Sequence, residues 1–523
     1  MKRPEMTDQL RDETITWDIV IIGGGATGLG IAMDAAIRGY TTLLLEQSDF
    51  AKGTSSRSTK LIHGGVRYLA QGKVKLVLEA LKERGLLLQN AAHVVKKQAF
   101  VIPAYSWWQA LYYLAGLKLY DVLAGKWSLG ASKFINRKQA LKALPTVNHK
   151  ALKGGILYYD SQFDDTRLAI NLAQTAVENG ACVINYMRVT DLLKDEAGKI
   201  NGVAVQDLET GSKYTPKAKA VINATGVFVD DILRMEQHEA HPLVQPSQGV
   251  HLVLDQKFLP GSNALLVPKT DDGRVLFAVP WHRHLLVGTT DTLRERAELE
   301  PRALEQEIDF ILGNAGRYLH QKPQREDVLS VFAGLRPLAA HQGNEQSTKD
   351  ISRNYKIIVS PAGLVTVTGG KWTIFRKMAE DTIDRAIKTH HLPLMPCQTA
   401  HYAIHGNTPG AEPGCHLSIY GTDAKAIKQL MQRQPSLAER LHPSFPHYKA
   451  EIVWAVRSEM ARTIEDVLAR RLRLLFLDAR AAMNVAPEVA RILALELGRS
   501  PEWELQQARA FIQLAEGYLA PAN

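Results

Sequence analysis

Three features of the chain predict an α/β fold in three parts. From Trp17 to Glu46 the sequence runs strand, glycine turn, helix, strand. Between Gln245 and Gly288 it breaks into short β-rich pieces spaced by Pro, Gly and Asp, and beyond His390 it turns to amphipathic helical patterning. Such a succession predicts a parallel, Rossmann-like domain, an antiparallel β-rich domain and a C-terminal helical domain.

The opening unit carries the most information. Asp18 to Ile22 reads as a buried strand, Leu29 to Arg38 as a helix, and Thr41 to Leu45 as a second strand. Gly23, Gly25 and Gly28 between the first two stand in G-x-G-x-x-G spacing. The first glycine permits the turn, the second lets a pyrophosphate approach the backbone, and the third lets helix and strand pack closely. Phosphates then face the unpaired N–H groups of a helix N-terminus. Glu46 ends the second strand at roughly the ~20-residue distance where a carboxylate accepts from ribose hydroxyls. Strand, helix, second strand and acid in this order predict dinucleotide binding.

Bulk properties agree with a globular enzyme. At 523 residues the chain exceeds one ordinary core, so two or three domains are expected. A net charge of +9 suits anionic substrates or an anionic membrane surface, and the absence of a basic, aromatic-interleaved stripe disfavours nucleic acid. Cys182, Cys397 and Cys415 are too few and too dispersed for a disulfide framework or zinc ligand spacing. The charged N-terminus has no apolar signal region. A cytoplasmic protein, held peripherally at the inner face of the cell membrane, is expected.

After Glu46 comes DFAKGTSSRSTKLIHGGVRYL, Asp49 to Leu69, too polar for a core strand and leading into a helix from about Val74. Ser55, Ser56, Ser58 and Thr59 are donors for phosphate or flavin oxygens, and Arg67 with Tyr68 offers charge-assisted donors to an anion. The glycine fingerprint followed by TSSRSTKLIHGGVRYL resembles the FAD-dependent glycerol-3-phosphate dehydrogenase family, with Thr59 where that family usually has serine. The resemblance covers nearly the whole chain. It implies an FAD domain of the glutathione-reductase type, non-covalent FAD, and cofactor contacts at Lys60, His63 and Gly64. It further implies glycerol 3-phosphate as substrate and a quinone as electron acceptor, and it is compatible with a homodimer.

The remaining elements follow in order. Ala104 to Gly125 is aromatic but interrupted by Lys118 and Asp121, too polar for a transmembrane span; it reads either as a helix packed on its own protein or as an interfacial, quinone-facing helix. A helix from Asp164 to near Gly180 precedes a strand, and Val203–Val205 with Lys213–Tyr214 form a strand pair. Ala220 to Gly226 is a buried strand running into Ala-Thr-Gly, whose Ala224 and Gly226 the resemblance places over the cofactor. GVHLVLD, ALLVPKT, RVLFAVPW and HLLVGTTD make the antiparallel sheet, with His251 in a strand and Thr289, Thr290 and Asp291 at a strand end. A helix around Arg302 to Leu319 follows, then Val331 to Ala340. Leu364–Thr368, Gly369-Gly370 and a helix from Lys371 onward offer a second helix N-terminus, with Gly370 and Thr373 as cofactor contacts. The expected FAD domain is discontinuous, 15–100, 150–240 and 330–390, with a substrate region at 101–149 and 241–329 and long C-terminal helices in 395–523. His390-His391 and His282 with His284 read as loop residues, since nothing completes a metal-ligand spacing.

The chemistry needs a cationic, hydroxyl-lined pocket for a phosphate ester, a proton acceptor for its C2 hydroxyl, and the flavin as hydride acceptor. Arg67, Tyr68 and Thr289 are assigned to the phosphate. His251 is the best proton acceptor, because an imidazole titrates near neutrality and arginine does not. Arg336 and Lys371 are placed to stabilise the developing alkoxide and the negative charge of reduced flavin. Three alternatives stay open: an oxidase using oxygen, a related flavin amine oxidase, and a non-catalytic flavoprotein. Family oxidases tend to carry an insertion before the C-terminal domain, and none is evident here; a scaffold has no need for Arg67, Arg336 and Lys371 together.

Overall fold

The computed structural model describes all residues except 70–71, 240, 340–354, 410–414 and 522–523, together with the side chains of 67 and 339. Ala340 of the expected strand therefore lies outside the described residues.

Its first layer is a sheet whose parallel centre runs Cys182–Ile184, Thr42–Leu45, Thr16–Ile22, Lys217–Asn223 and Val365–Thr368. These are near-continuous apolar runs, as both faces of a parallel sheet are covered. The helix Ala26–Ile37 covers one of those faces and packs against the helices Asp165–Glu178 and Phe375–His390. It begins earlier than sequence periodicity indicates, because Ser55 Oγ, from the following loop, accepts from Ala26 N at 2.9 Å and satisfies the helix start. A side chain at Gly28 would overlap the Gly23 carbonyl, which explains the third glycine of the fingerprint.

A second sheet is mostly antiparallel. Its spine is the pair Val244–Asp255 and Val328–Ala339, in a register that opposes Ser247 to Arg336, Gly249 to Gly334 and His251 to Phe332. Leu276–Trp281 and His284–Gly288 extend it, and Ala264–Val267 joins it to Val95–Ala104 and Gly154–Phe163. Strands from 95–104, 154–163 and 328–339 thus belong to this sheet, although local sequence groups much of them with the nucleotide-binding segments. Pairing partners, which are distant in sequence, decide membership.

The C-terminal region is helical but interrupted. Lys449–Glu459 ends at Met460 (φ 55°), Asp466–Arg471 is a π-helical turn, Arg473 is left-handed (φ 67°), and Ala479–Leu497 and Pro501–Glu516 follow. Continuous helices were expected here. The breaks turn Arg470, Arg471 and Arg473 inward, onto Asp49 and Asp165 of the nucleotide-binding half, where all five side chains are buried.

A second tie between these regions is His405, which contacts Glu178 at 2.5 Å and Asp423 at 2.9 Å. Burial alone would lower its pKa, but the Asp423 hydrogen bond and both carboxylate charges outweigh burial and raise it. Stabilisation from the charged ring is therefore complete below the ordinary imidazole range and is lost as pH rises through the raised value. His405→Gln is expected to lower the melting temperature clearly at acidic pH and little at alkaline pH, read by differential scanning fluorimetry; an equal loss at both would contradict the ion pair.

Candidate active site

A cavity of about 1280 Å³ opens between the two sheets. One end is built on the glycine turn. Gly23, Gly25, Ala224 and Gly226 line it with Glu46, whose carboxylate accepts from Gly24 N at 2.6 Å and Ser48 N at 2.8 Å. Burial pushes the Glu46 carboxyl up from its ordinary range despite those two donors. The bare glycine backbone, the helix start at Ala26 and this acceptor together fit the adenosine and pyrophosphate of FAD.

The Ser-rich loop divides into residues that face the cavity and residues that hold the loop. Ser55 and Thr59 line the cavity. Ser56 does not; its hydroxyl turns back toward the Lys52 and Gly53 carbonyls. Ser58 lines the cavity wall, yet its hydroxyl donates to Asp165 at 2.7 Å. Lys60, expected at the cofactor, points away from it: fully buried, it donates to Ser56 O at 2.6 Å and Asp165 Oδ2 at 2.5 Å beneath the rings of Trp281, Phe332 and Phe476. Burial is the largest influence on it and brings its pKa down to about 7. His63 lines the cavity and its carbonyl accepts from Thr373 Oγ1. Gly64 does not, since its N–H donates to Tyr120 Oη and Leu81 crowds it; Gly65 takes that place. Gly28 is likewise a packing residue rather than a lining one.

His251, Thr289, Arg336, Lys371 and Tyr68 line the same cavity. Arg336 donates to Thr290 O (3.1 Å), Asp291 Oδ1 (3.2 Å) and Thr289 Oγ1 (3.1 Å), and its guanidinium lies across Gly249, where a Cβ would strike it. The Lys371 ammonium sits 4.4 Å from the Tyr68 ring centroid, and Gly370 and Thr373 flank it on the wall. Thr59 Oγ1 and His251 Nε2 are 2.9 Å apart, and the ring stacks on Phe332. Burial first, and the Lys60 and Arg336 charges second, hold His251 well below the usual imidazole range. Arg67 falls in the helix Val66–Leu69, but its side chain lies outside the described residues.

Several cations of the cavity wall escape a sequence reading. Lys269 and Arg274 line the wall from the turn before Leu276, a segment that looks like an ordinary polar turn. Arg57 is missed for the opposite reason: buried, it pairs with Glu300 at 2.7 Å and anchors the loop to the Ala333 carbonyl.

Residues 18–376 match the family described as FAD dependent oxidoreductase, and residues 368–504 match the C-terminal domain of alpha-glycerophosphate oxidase. A probable mitochondrial glycerol-3-phosphate dehydrogenase of Caenorhabditis elegans is 43% identical over 96% of this chain and 74% of its own. The mitochondrial glycerol-3-phosphate dehydrogenase of Homo sapiens is 39% identical over 97% of this chain and 74% of its own. Among solved structures, the glycerol-3-phosphate dehydrogenase of Bacillus halodurans complexed with FAD superimposes with a TM-score of 0.81, at 30% identity, covering 100% of this chain and 98% of that one.

The contact between Gly249 and Arg336 makes a direct test of the site. Gly249→Ala is expected to displace the guanidinium and cut kcat/KM about a hundredfold, the order reached when a catalytic group shifts by ~1 Å. Flavin absorbance should show unchanged cofactor content; wild-type kcat/KM in this variant would contradict the placement of Arg336.

Proposed function

Since this chain belongs to the FAD-dependent glycerol-3-phosphate dehydrogenase family, we propose that it oxidises the C2 hydroxyl of sn-glycerol 3-phosphate to the ketone of dihydroxyacetone phosphate and passes the electrons to a membrane quinone. The observation that carries the reading is that His251, Arg336 and Lys371 line the same cavity as the glycine turn.

FAD held on the glycine turn would supply the acceptor for the hydride that leaves C2. The protein's own groups bind, orient and move the proton. His251, kept neutral by burial, takes the hydroxyl proton, and the Thr59 hydroxyl fixes its ring. Arg336 and Lys371 bring positive charge to the oxygen as that proton leaves. Tyr68 and Thr289, which line the cavity, are assigned to the phosphate dianion together with Arg67, an assignment that for Arg67 rests on the sequence, and Lys269 adds positive charge along the wall. Because the pKa of His251 is depressed, the base stays available below the ordinary imidazole range. The acid limb of the kcat/KM profile should therefore lie below about pH 6.5. His251→Asn should lower kcat by about 10²–10⁴-fold with FAD retained; near-normal kcat in that variant would remove the assignment.

Quinone transfer is supported by the helix Trp107–Ala124. Ala110, Leu117, Tyr120 and Ala124 pack inward, while Trp107, Trp108, Leu111 and Val122 are exposed, Trp108 by 83% and Val122 by 75%. Tyr112 and Leu119 are both exposed and part of the cavity lining, so one apolar face reaches from the surface to the site. Among the described residues no helix is long and apolar enough to cross a membrane. An amphipathic face with two tryptophans fits peripheral attachment at the headgroup level of the inner face of the cell membrane, beside a lipid-dissolved acceptor. The test is anaerobic reduction by glycerol 3-phosphate followed by stopped-flow reoxidation. Fast reoxidation by a short-chain quinone is expected; fast reoxidation by oxygen with stoichiometric peroxide, and little response to quinone, would replace the acceptor.

A further inference from the structure

We propose that the C-terminal domain holds a divalent transition metal, zinc by its donor set, on His416, His447 and Glu451. The three ligand atoms lie within 4.8 Å of one another. His416 opens the 3₁₀ segment His416–Asp423, while His447 and Glu451 stand four residues apart across the start of the helix Lys449–Glu459. Both rings converge on one carboxylate: His416 Nε2 is 3.1 and 3.0 Å from the two Glu451 oxygens, and His447 Nδ1 is 3.6 Å from the nearer. A tetrahedral ion with bonds of about 2.0–2.1 Å sets its ligand atoms about 3.3 Å apart, between those two separations.

The second observation is His447 itself. The residue is 4% exposed, and its Nδ1, aimed at the carboxylate, has no hydrogen-bond partner among the described residues. At 3.6 Å the Glu451 oxygen is too far to be one. Buried ring nitrogens are normally satisfied, and a metal at the centre of the triad would satisfy this one. The carboxylate is already oriented, accepting from Tyr448 N at 2.7 Å and from Tyr420 Oη at 2.9 Å. Such outer partners fix ligand geometry in metal sites. His416 is partly exposed, so the triad is not sealed from solvent.

Two imidazoles and a carboxylate suit zinc, whereas magnesium and calcium require more oxygen. None of the three residues lines the catalytic cavity, so the role assigned is structural: the ion joins the segment ahead of the helix Ala424–Arg433 to the helix Lys449–Glu459. Its ligands fall on both sides of an intervening helix, so no short spacing in the sequence announces them.

The FAD-loaded full chain, stripped with chelator and exchanged into metal-free buffer, would be given zinc or cobalt and passed through a desalting column. Retention of about one equivalent of zinc, a higher melting temperature and the intense visible bands of tetrahedral cobalt are expected. His416→Gln with His447→Gln should reduce retained zinc at least tenfold, with flavin content and circular dichroism showing that the variant is folded. The proposal fails if wild type retains no metal, or if the folded double variant retains as much. Should the variant not fold, the wild-type cobalt spectrum decides alone: weak octahedral bands, or none, overturn the site.

Discussion

The active geometry depends on one buried carboxylate. Asp165, fully inaccessible, accepts from Lys60 Nζ, Arg473 Nη2, the Ser58 hydroxyl and Thr166 N. An isolated charge in such a place would be very costly, and removing one partner of a buried pair typically costs about 3–5 kcal/mol because the other charge is stranded. Here the Arg473 guanidinium and the Lys60 amine share the acid, and beside it Asp164 is held well below the usual carboxylate range; burial opposes that, but the Arg473 charge and the His282 hydrogen bond prevail. Lys60 adopts a left-handed backbone to reach Asp165, and the residue before it, Thr59, thereby delivers its hydroxyl to His251. A structural ion cluster thus sets the position of the proposed base.

The same logic governs the other buried arginines. Arg470 and Arg471 close on Asp49, and Arg57 closes on Glu300; each is buried. Arg336, Lys371, Lys269 and Arg274 face the cavity. Buried positive charge therefore joins the domains through its counter-charges, and part of the cavity's positive charge is balanced by Asp272 and Asp291. The arginines of the C-terminal region look like the solvated face of a helix in one dimension, yet they form the contact that docks this region on the nucleotide-binding half.

The nucleotide-binding end was legible residue by residue, since its signals are local: glycine spacing, a strand's apolar run, a helix start and an acid a fixed distance away all lie between Trp17 and Glu46. His251, Arg336 and Lys371 stand out in the sequence one by one, but the placement of His251 relative to Arg336 arises from the register of Val244–Asp255 on Val328–Ala339, and Lys371 reaches the same cavity from beyond the strand Val365–Thr368. The Ser-rich loop shows the boundary clearly. Hydroxyls at 55, 56, 58 and 59 are alike as donors, and only the tertiary contacts separate Ser55 and Thr59, which serve the cavity, from Ser56, whose hydroxyl turns to the loop's own carbonyls, and Ser58, whose hydroxyl serves Asp165. Lys60 and Gly64 sit in the same motif and turn away for the same reason.

The sequence by itself determined the dinucleotide fold and the change from parallel to antiparallel architecture, because periodicity and turn chemistry act over a few residues; the phosphorylated-alcohol chemistry entered through the family resemblance. Tertiary structure decided which sheet each strand joined, which arginines were buried, and where the C-terminal helices broke. Those outcomes rest on contacts such as Arg473 to Asp165, 308 residues apart. A buried ion's position is set by its counter-charge, and no pattern within either segment specifies that partner.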